Sequence, residues 1–353
     1  MRVRALLIAC AVVCSLLAAP PASAAFGCDY ITKPEEKQSD DRILYTENLG
    51  LASGRYVLPA DPEPKQLVVM FHGYQQNTCA WRNHLRAAAD RGAVAVAMDY
   101  TGQDPVTNRG WFMRSAAADS IAAARHLIAQ NPSIREVFAM APSLGANAAG
   151  VTLAHPDAVR ADGSPLFDYL VAAEGVHNLT EQYTLAYAVQ DHNATAKKAV
   201  VDIEAEAGGS LAQRPDAYSA MTNVAQAPKM SYLKGAILLH GLDDGTVPYN
   251  QSREMAAALR AVGVNTELHT ILGRGNGKTG TLLSNNLMGP IWSGAGQGSW
   301  SEDSPTVGHG WEGDSDHQVI KLSFDALWRL MQVGETRSTY VEHIDVSLPP
   351  PLP

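Results

Sequence analysis

Cysteine is scarce in this sequence: four residues in 353, at positions 10, 14, 28 and 79. A chain of that length buries enough apolar surface to fold without a disulfide framework, which excludes a small stapled scaffold. Charged residues are also sparse, at 18%, and their balance is negative, with a formal net charge of −9. Arg2 and Arg4 are the only charges in the first 25 residues, so the remainder carries −11. So acidic a chain is a poor nucleic-acid binder and has no electrostatic reason to dwell on an anionic membrane. No repeat of solenoid or propeller period is visible. No H-E-x-x-H or similar ligand spacing occurs, so neither metal nor cofactor is expected. The run Gly273–Thr279 misses a phosphate-binding loop, because Leu272 stands where its first glycine is required.

A membrane-spanning run of roughly 20 apolar residues is missing too. The nearest approach, Ala5–Ala19, is shorter, follows Arg2 and Arg4, and ends at Pro20-Pro21 before the small residues Ala22-Ser-Ala-Ala25. That pattern predicts a signal peptide over residues 1–25, cleaved near Ala24-Ala25, and a secreted protein (extracellular or periplasmic) without a stable membrane anchor. Cleavage would remove Cys10 and Cys14. Cys28 and Cys79 would then meet an oxidising compartment, where a Cys28–Cys79 disulfide is expected; two separate buried thiols are the alternative.

What the sequence does have is alternation. Short apolar runs at Arg42–Thr46, Arg55–Leu58, Gln66–Phe71, Ala93–Met98, Glu136–Met140, Tyr169–Ala173, Gly235–His240 and Thr266–Leu272 read as strands. Helix-length segments separate most of them, and a last helix is predicted near Gln318–Val333. This is an α/β pattern: one domain over residues 26–353, with a mainly parallel central sheet covered by helices on both faces. Two segments break the rhythm. Residues 178–230 read as a small helical cap inserted between two core strands, and residues 273–308 as a long Gly/Ser/Asn-rich loop. The Pro-rich tail ending at Pro353 is expected to be extended.

Ala141-Pro-Ser-Leu-Gly145 follows a strand and opens an Ala-rich helix. A nucleophilic serine on a tight strand-to-helix turn needs small residues two positions either side, and Ala141 and Gly145 meet that need. The pentapeptide alone leaves a helix-capping role for Ser143 equally open. Two further segments narrow the choice. His240-Gly-Leu-Asp-Asp-Gly-Thr-Val-Pro248 and Gly308-His-Gly-Trp311 resemble the acid and histidine segments of the α/β-hydrolase superfamily, as Val68-Val-Met-Phe-His-Gly-Tyr74 resembles its oxyanion loop. The resemblance runs from about Gln66 to Val333, and Pro215–Tyr218 with Ser231–Pro248 looks most like prolyl-oligopeptidase or dienelactone-hydrolase relatives.

The resemblance implies an α/β-hydrolase fold and a catalytic triad of Ser143, Asp244 and His309, with Asp243 and His317 as the competing acid and base. It implies backbone N–H donors for an oxyanion at Leu144 and at Tyr74, with Gln75 as the alternative to Tyr74. Trp81, Trp111, Trp292, Trp300 and Trp311 all fall in or near strand-to-helix connections, which gather at one edge of such a sheet. Together they predict an aromatic-walled cleft for an apolar or aromatic group. The expected activity is therefore a secreted serine esterase acting on small or polymer-borne esters, as a monomer. A prolyl-oligopeptidase-type peptidase and a non-catalytic binding protein on the same scaffold are the alternatives.

Overall fold

The apolar runs become strands, β1 (Arg42–Tyr45), β2 (Ser53–Val57), β3 (Gln66–Met70), β4 (Val94–Met98), β5 (Glu136–Pro142), β6 (Tyr169–Ala173), β7 (Gly235–Gly241), β8 (Thr266–Leu272) and β9 (Val341–Asp345). The computed structural model describes residues 42–45, 53–103, 110–242, 244–272, 309, 318–337 and 341–345. Every residue of β4 (VAVAM), β6 (YLVAA) and β7 (GAILLHG) is buried. Continuous burial of that kind is the signature of parallel strands covered on both faces, where no side can be polar.

Among the described residues the sheet has nine strands in the order β1-β2-β4-β3-β5-β6-β7-β8-β9. β1 and β2 form an antiparallel edge, while β4 onward pair in parallel. The chain passes from β3 outward to β4, then returns across β3 to β5. That reversal opens a crevice at the carboxyl ends of β3 and β5, where ligands bind in sheets of this kind.

The helices are α1 (Arg82–Ala89), α2 (Met113–Gln130), α3 (Leu144–Leu153), α4 (Leu179–Val189), α5 (Ala194–Ala207), α6 (Pro215–Ala220), α7 (Asn223–Gln226), α8 (Asn250–Ala261) and α9 (Gln318–Val333). α1 and α9 cover one face through Leu85, Val319, Phe324 and Leu327, against Met70, Phe138, Val171 and Ile237. α2, α3 and α8 cover the other through Ile121, Leu127, Ala148 and Met255, against Val69, Val96, Ala139 and Leu238. Residues 178–230 form α4 to α7 and a 3-10 turn at Ala227–Met230. Asn178 and Asn193 start α4 and α5 by accepting the Glu181 and Ala196 N–H groups at 3.1 and 2.8 Å. Gly208 ends α5 in the left-handed conformation that a C-terminal cap favours.

One strand lies beyond the sequence expectation. β9 (VEHID) pairs in parallel with β8, from Leu268↔Val341 to Leu272↔Asp345. Its three ionisable residues hide it from an apolar-run reading, and an edge position tolerates them because only one neighbour is needed. Residues 273–308 and the tail from 346 lie outside the described residues.

Candidate active site

β5 delivers its last residue, Pro142, directly to Ser143, and α3 begins at the next position. Ser143 has φ 53° and ψ −129°, a conformation that side chains rarely adopt. Strain of that kind carries about 1–3 kcal/mol and persists only where the surroundings enforce it. Here they do: the Ser143 N–H donates to Ala173 O of β6 at 2.9 Å, and its carbonyl accepts from Val176 N–H at 3.0 Å. Gly145 lets α3 approach β3, since a Cβ there would sit 2.3 Å from the Phe71 carbonyl oxygen.

The side chains converge at the same edge. Ser143 Oγ lies 2.8 Å from Nε2 of His309, and His309 Nδ1 lies 2.7 Å from Asp244 Oδ2. A carboxylate only accepts, so Nδ1 carries the proton and Nε2 is left to accept from the serine hydroxyl. Asp244 is anchored through its other oxygen, which accepts the N–H groups of Thr246 and Val247 at 2.8 and 2.9 Å. Burial alone would raise its pKa, but the facing His309 and hydrogen bonds from His240 and His309 hold the carboxyl well below the ordinary range. His240 is itself fixed between Ser252 Oγ at 2.7 Å and Val247 O at 2.8 Å. The arrangement can deprotonate Ser143 and stabilise the resulting imidazolium.

Tyr74 and Leu144 line a cleft together with Ser143 and His309. Leu144 is the first residue of α3, where backbone N–H groups lack intrahelical partners. Tyr74 belongs to a turn that Gln76 closes from both ends. Gln76 N–H donates to Gly73 O at 3.3 Å, and Gln76 Oε1 accepts from Gly73 N–H at 3.0 Å. Gln75, at φ 61°, takes the left-handed turn between them. The Tyr74 hydroxyl donates to Asp202 of α5 at 2.5 Å, tying this turn to the helical insertion. The cleft encloses about 730 Å³ including its open mouth, and its apolar wall is built from Trp111, Val176, Ala186, Ala196, Ala199 and Val247. Apart from His309, the polar side chains along it among the described residues are neutral amides and hydroxyls, among them Gln76, Gln182, Asn193, Thr195 and Thr246.

The tryptophan expectation requires correction. Trp111 lines the cleft, held by an indole N–H donated to Asn147 Oδ1 at 3.1 Å. Trp81 does not line it. It is fully buried against Phe324, with ring centroids 5.7 Å apart, on the face covered by α1 and α9. Its connection leaves the correct edge of the sheet, but the 3-10 turn Thr78–Trp81 returns the indole to the opposite core. Trp292, Trp300, Trp311, Asp243, His317 and Cys28 lie outside the described residues; Cys79 is buried in that same turn.

Sequence reasoning missed Glu174. This residue follows β6, is fully buried, and places Oε2 3.7 Å from His309 Nδ1. Glu174, Asp244 and His309 bring their ligand-type atoms within 4.8 Å of one another. With both nitrogens of His309 engaged, by Asp244 and Ser143, the cluster is better suited to holding an imidazolium than a metal ion. The signal available in the sequence was only a glutamate between an apolar strand and a glycine.

The sequence profile of the prolyl oligopeptidase family matches residues 80–278. No curated protein sequence matches the chain. Similar solved structures include a puromycin-hydrolysing peptidase from Mycobacterium tuberculosis (TM-score 0.55, 16% identity, covering 88% of this chain and 42% of that one). A thermophilic esterase from Thermogutta terrifontis gives TM-score 0.54 at 20% identity, covering 85% of this chain and 96% of that one. Pyrococcus horikoshii acylaminoacyl peptidase gives 0.50 at 15%, covering 65% and 36%. The chain thus spans about a third of the acylaminoacyl peptidase and nearly all of the esterase. At these identities the likeness establishes the fold, an α/β-hydrolase fold.

Proposed function

The chain belongs to the prolyl oligopeptidase family of serine hydrolases, and from that premise we propose that it is a secreted esterase using Ser143 as nucleophile. The observation that carries this reading is the relay from Ser143 through His309 to Asp244, with contacts of 2.8 and 2.7 Å, at a cleft with a largely apolar wall. His309 Nε2 takes the hydroxyl proton as Ser143 Oγ attacks the ester carbonyl. The backbone N–H groups of Leu144 and Tyr74 receive the oxyanion. The imidazolium then protonates the leaving alcohol, an acyl-enzyme remains, and water deprotonated by His309 releases the acid. Trp111 and the alanines of α4 and α5 take up an apolar acyl or aryl group, and the neutral polar lining offers hydrogen bonds without a counter-charge.

Family membership supports a second reading, a serine peptidase with the same three residues. A panel of p-nitrophenyl esters beside peptidyl anilides separates the two. The esterase reading expects kcat/KM at least about 10²-fold higher on aryl or medium-chain acyl esters, and no turnover in Ser143→Ala. The reverse preference would establish the peptidase.

A further inference from the structure

β6 lies between β5, which delivers Ser143, and β7, which leads to Asp244. The carboxyl ends of three adjacent strands therefore present a serine, a glutamate and an aspartate in one row. Glu174 occupies its place under strain: φ is 50°, in the left-handed region that favours glycine. A non-glycine residue there is strained and is held only when both flanks are fixed. On one flank the Glu174 N–H donates to Leu239 O of β7 at 2.8 Å; on the other, Val176 N–H donates to Ser143 O at 3.0 Å. Between them Gly175 packs where a Cβ would meet Ala146 Cβ and His177 Nε2, each at 2.5 Å. The backbone is thus committed to aiming this one side chain inward.

A second carboxylate beside Asp244, with both side chains buried, favours a cation placed between them. The imidazolium of His309 is such a cation. Resting on the triad reading above, we infer that Glu174 is a second acid for His309, a positioning residue that shares the Nδ1–H with Asp244 and stabilises the imidazolium alongside it. Atoms balance simply: the Ser143 proton moves to Nε2, and the Nδ1 proton stays on the ring. When Asp244 cannot accept, a small rotation of the ring brings Nδ1–H from 2.7 Å at Asp244 to Glu174, now 3.7 Å away.

Among the described residues, two further histidines face this pair, His240 at the end of β7 and His177 beyond β6. His240 reaches within 3.4 Å of Asp244. His177 is pushed down to about 3, by burial first and then by His240, so it is neutral during turnover.

The test is a pH–rate profile of kcat/KM on one ester for wild type, Glu174→Gln, Asp244→Asn and the double variant, with Ser143→Ala as the floor. Glu174→Gln is expected to move the acid limb down by about one pH unit, because one anion that favours the imidazolium is gone. Asp244→Asn is expected to stay about 10²-fold above the double variant, where a single-acid site loses about 10⁴-fold at once. An unmoved acid limb, with Asp244→Asn equal to the double variant, overturns the assignment and leaves the triad reading intact. An active Ser143→Ala overturns both. Should Glu174→Gln melt below the assay temperature, Asp244→Asn decides alone: activity at the floor overturns the second acid, activity well above it supports it.

Discussion

At Gly145 the backbone has no room for a side chain. An added Cβ would lie 2.3 Å from Phe71 O and 2.9 Å from Phe71 C, and a main-chain obstacle cannot rotate away. Gly145→Ala is therefore expected to push the start of α3 off β3 and displace the Leu144 N–H. Differential scanning calorimetry should show a loss of about 1–3 kcal/mol, and kcat should fall at least about 10²-fold with KM little changed. At this scale the sequence was legible where chemistry is written in contiguous segments. Ser143, Asp244 and His309 each sit in a short stretch whose spacing reflects a local turn, and the structure brings those three side chains together. Glu174 was not legible, because its position follows from a left-handed φ and from two neighbouring strands rather than from its own neighbours in sequence.

The helical insertion shapes the cleft at the level of elements. α4 is tied to the Asp244 loop by Gln182 Nε2 donating to Thr246 O at 2.9 Å, and to α8 by Gln251 Nε2 donating to Gln182 Oε1 at 3.0 Å. α5 is held to the Tyr74 turn through Asp202. Between these ties, Ala186, Ala196 and Ala199 leave the space that an acyl or aryl group would fill. Ala199→Phe should close that space. It is expected to lower kcat/KM on a medium-chain ester at least tenfold while leaving an acetyl ester within about threefold, read from the same two-substrate assay. An equal loss on both would place the acyl group elsewhere. The insertion was visible in the sequence as helical residues 178–230 breaking the strand alternation. Trp81 and β9 misled for a shared reason: the side of the sheet that an indole joins, and the edge that a charged strand joins, are settled by tertiary packing.

Across the whole molecule, one buried carboxylate ties the carboxyl-terminal part of the chain to the sheet. Glu267 of β8 accepts from Arg329 of α9 at 2.6 Å, from His269 at 2.8 Å and from the Arg337 N–H at 2.7 Å. Burial would raise its pKa, but these hydrogen bonds and the Arg329 charge outweigh burial and hold it at about 2. A carboxyl depressed on folding stabilises the native state above its unfolded pKa. That contribution is lost as pH falls from about 4.5 toward 2. Glu267→Gln is expected to lose it already at neutral pH and to flatten the acid side of a urea-melt series; an unchanged acid side would contradict the assignment. The central claim remains the nucleophile. Its most direct measurement is the intact mass of the folded protein after a fluorophosphonate probe, with the adduct mapped by peptide sequencing. One adduct on Ser143, absent in Ser143→Ala and in denatured protein, is the predicted result. No adduct, or an adduct on another serine that survives Ser143→Ala, would contradict it.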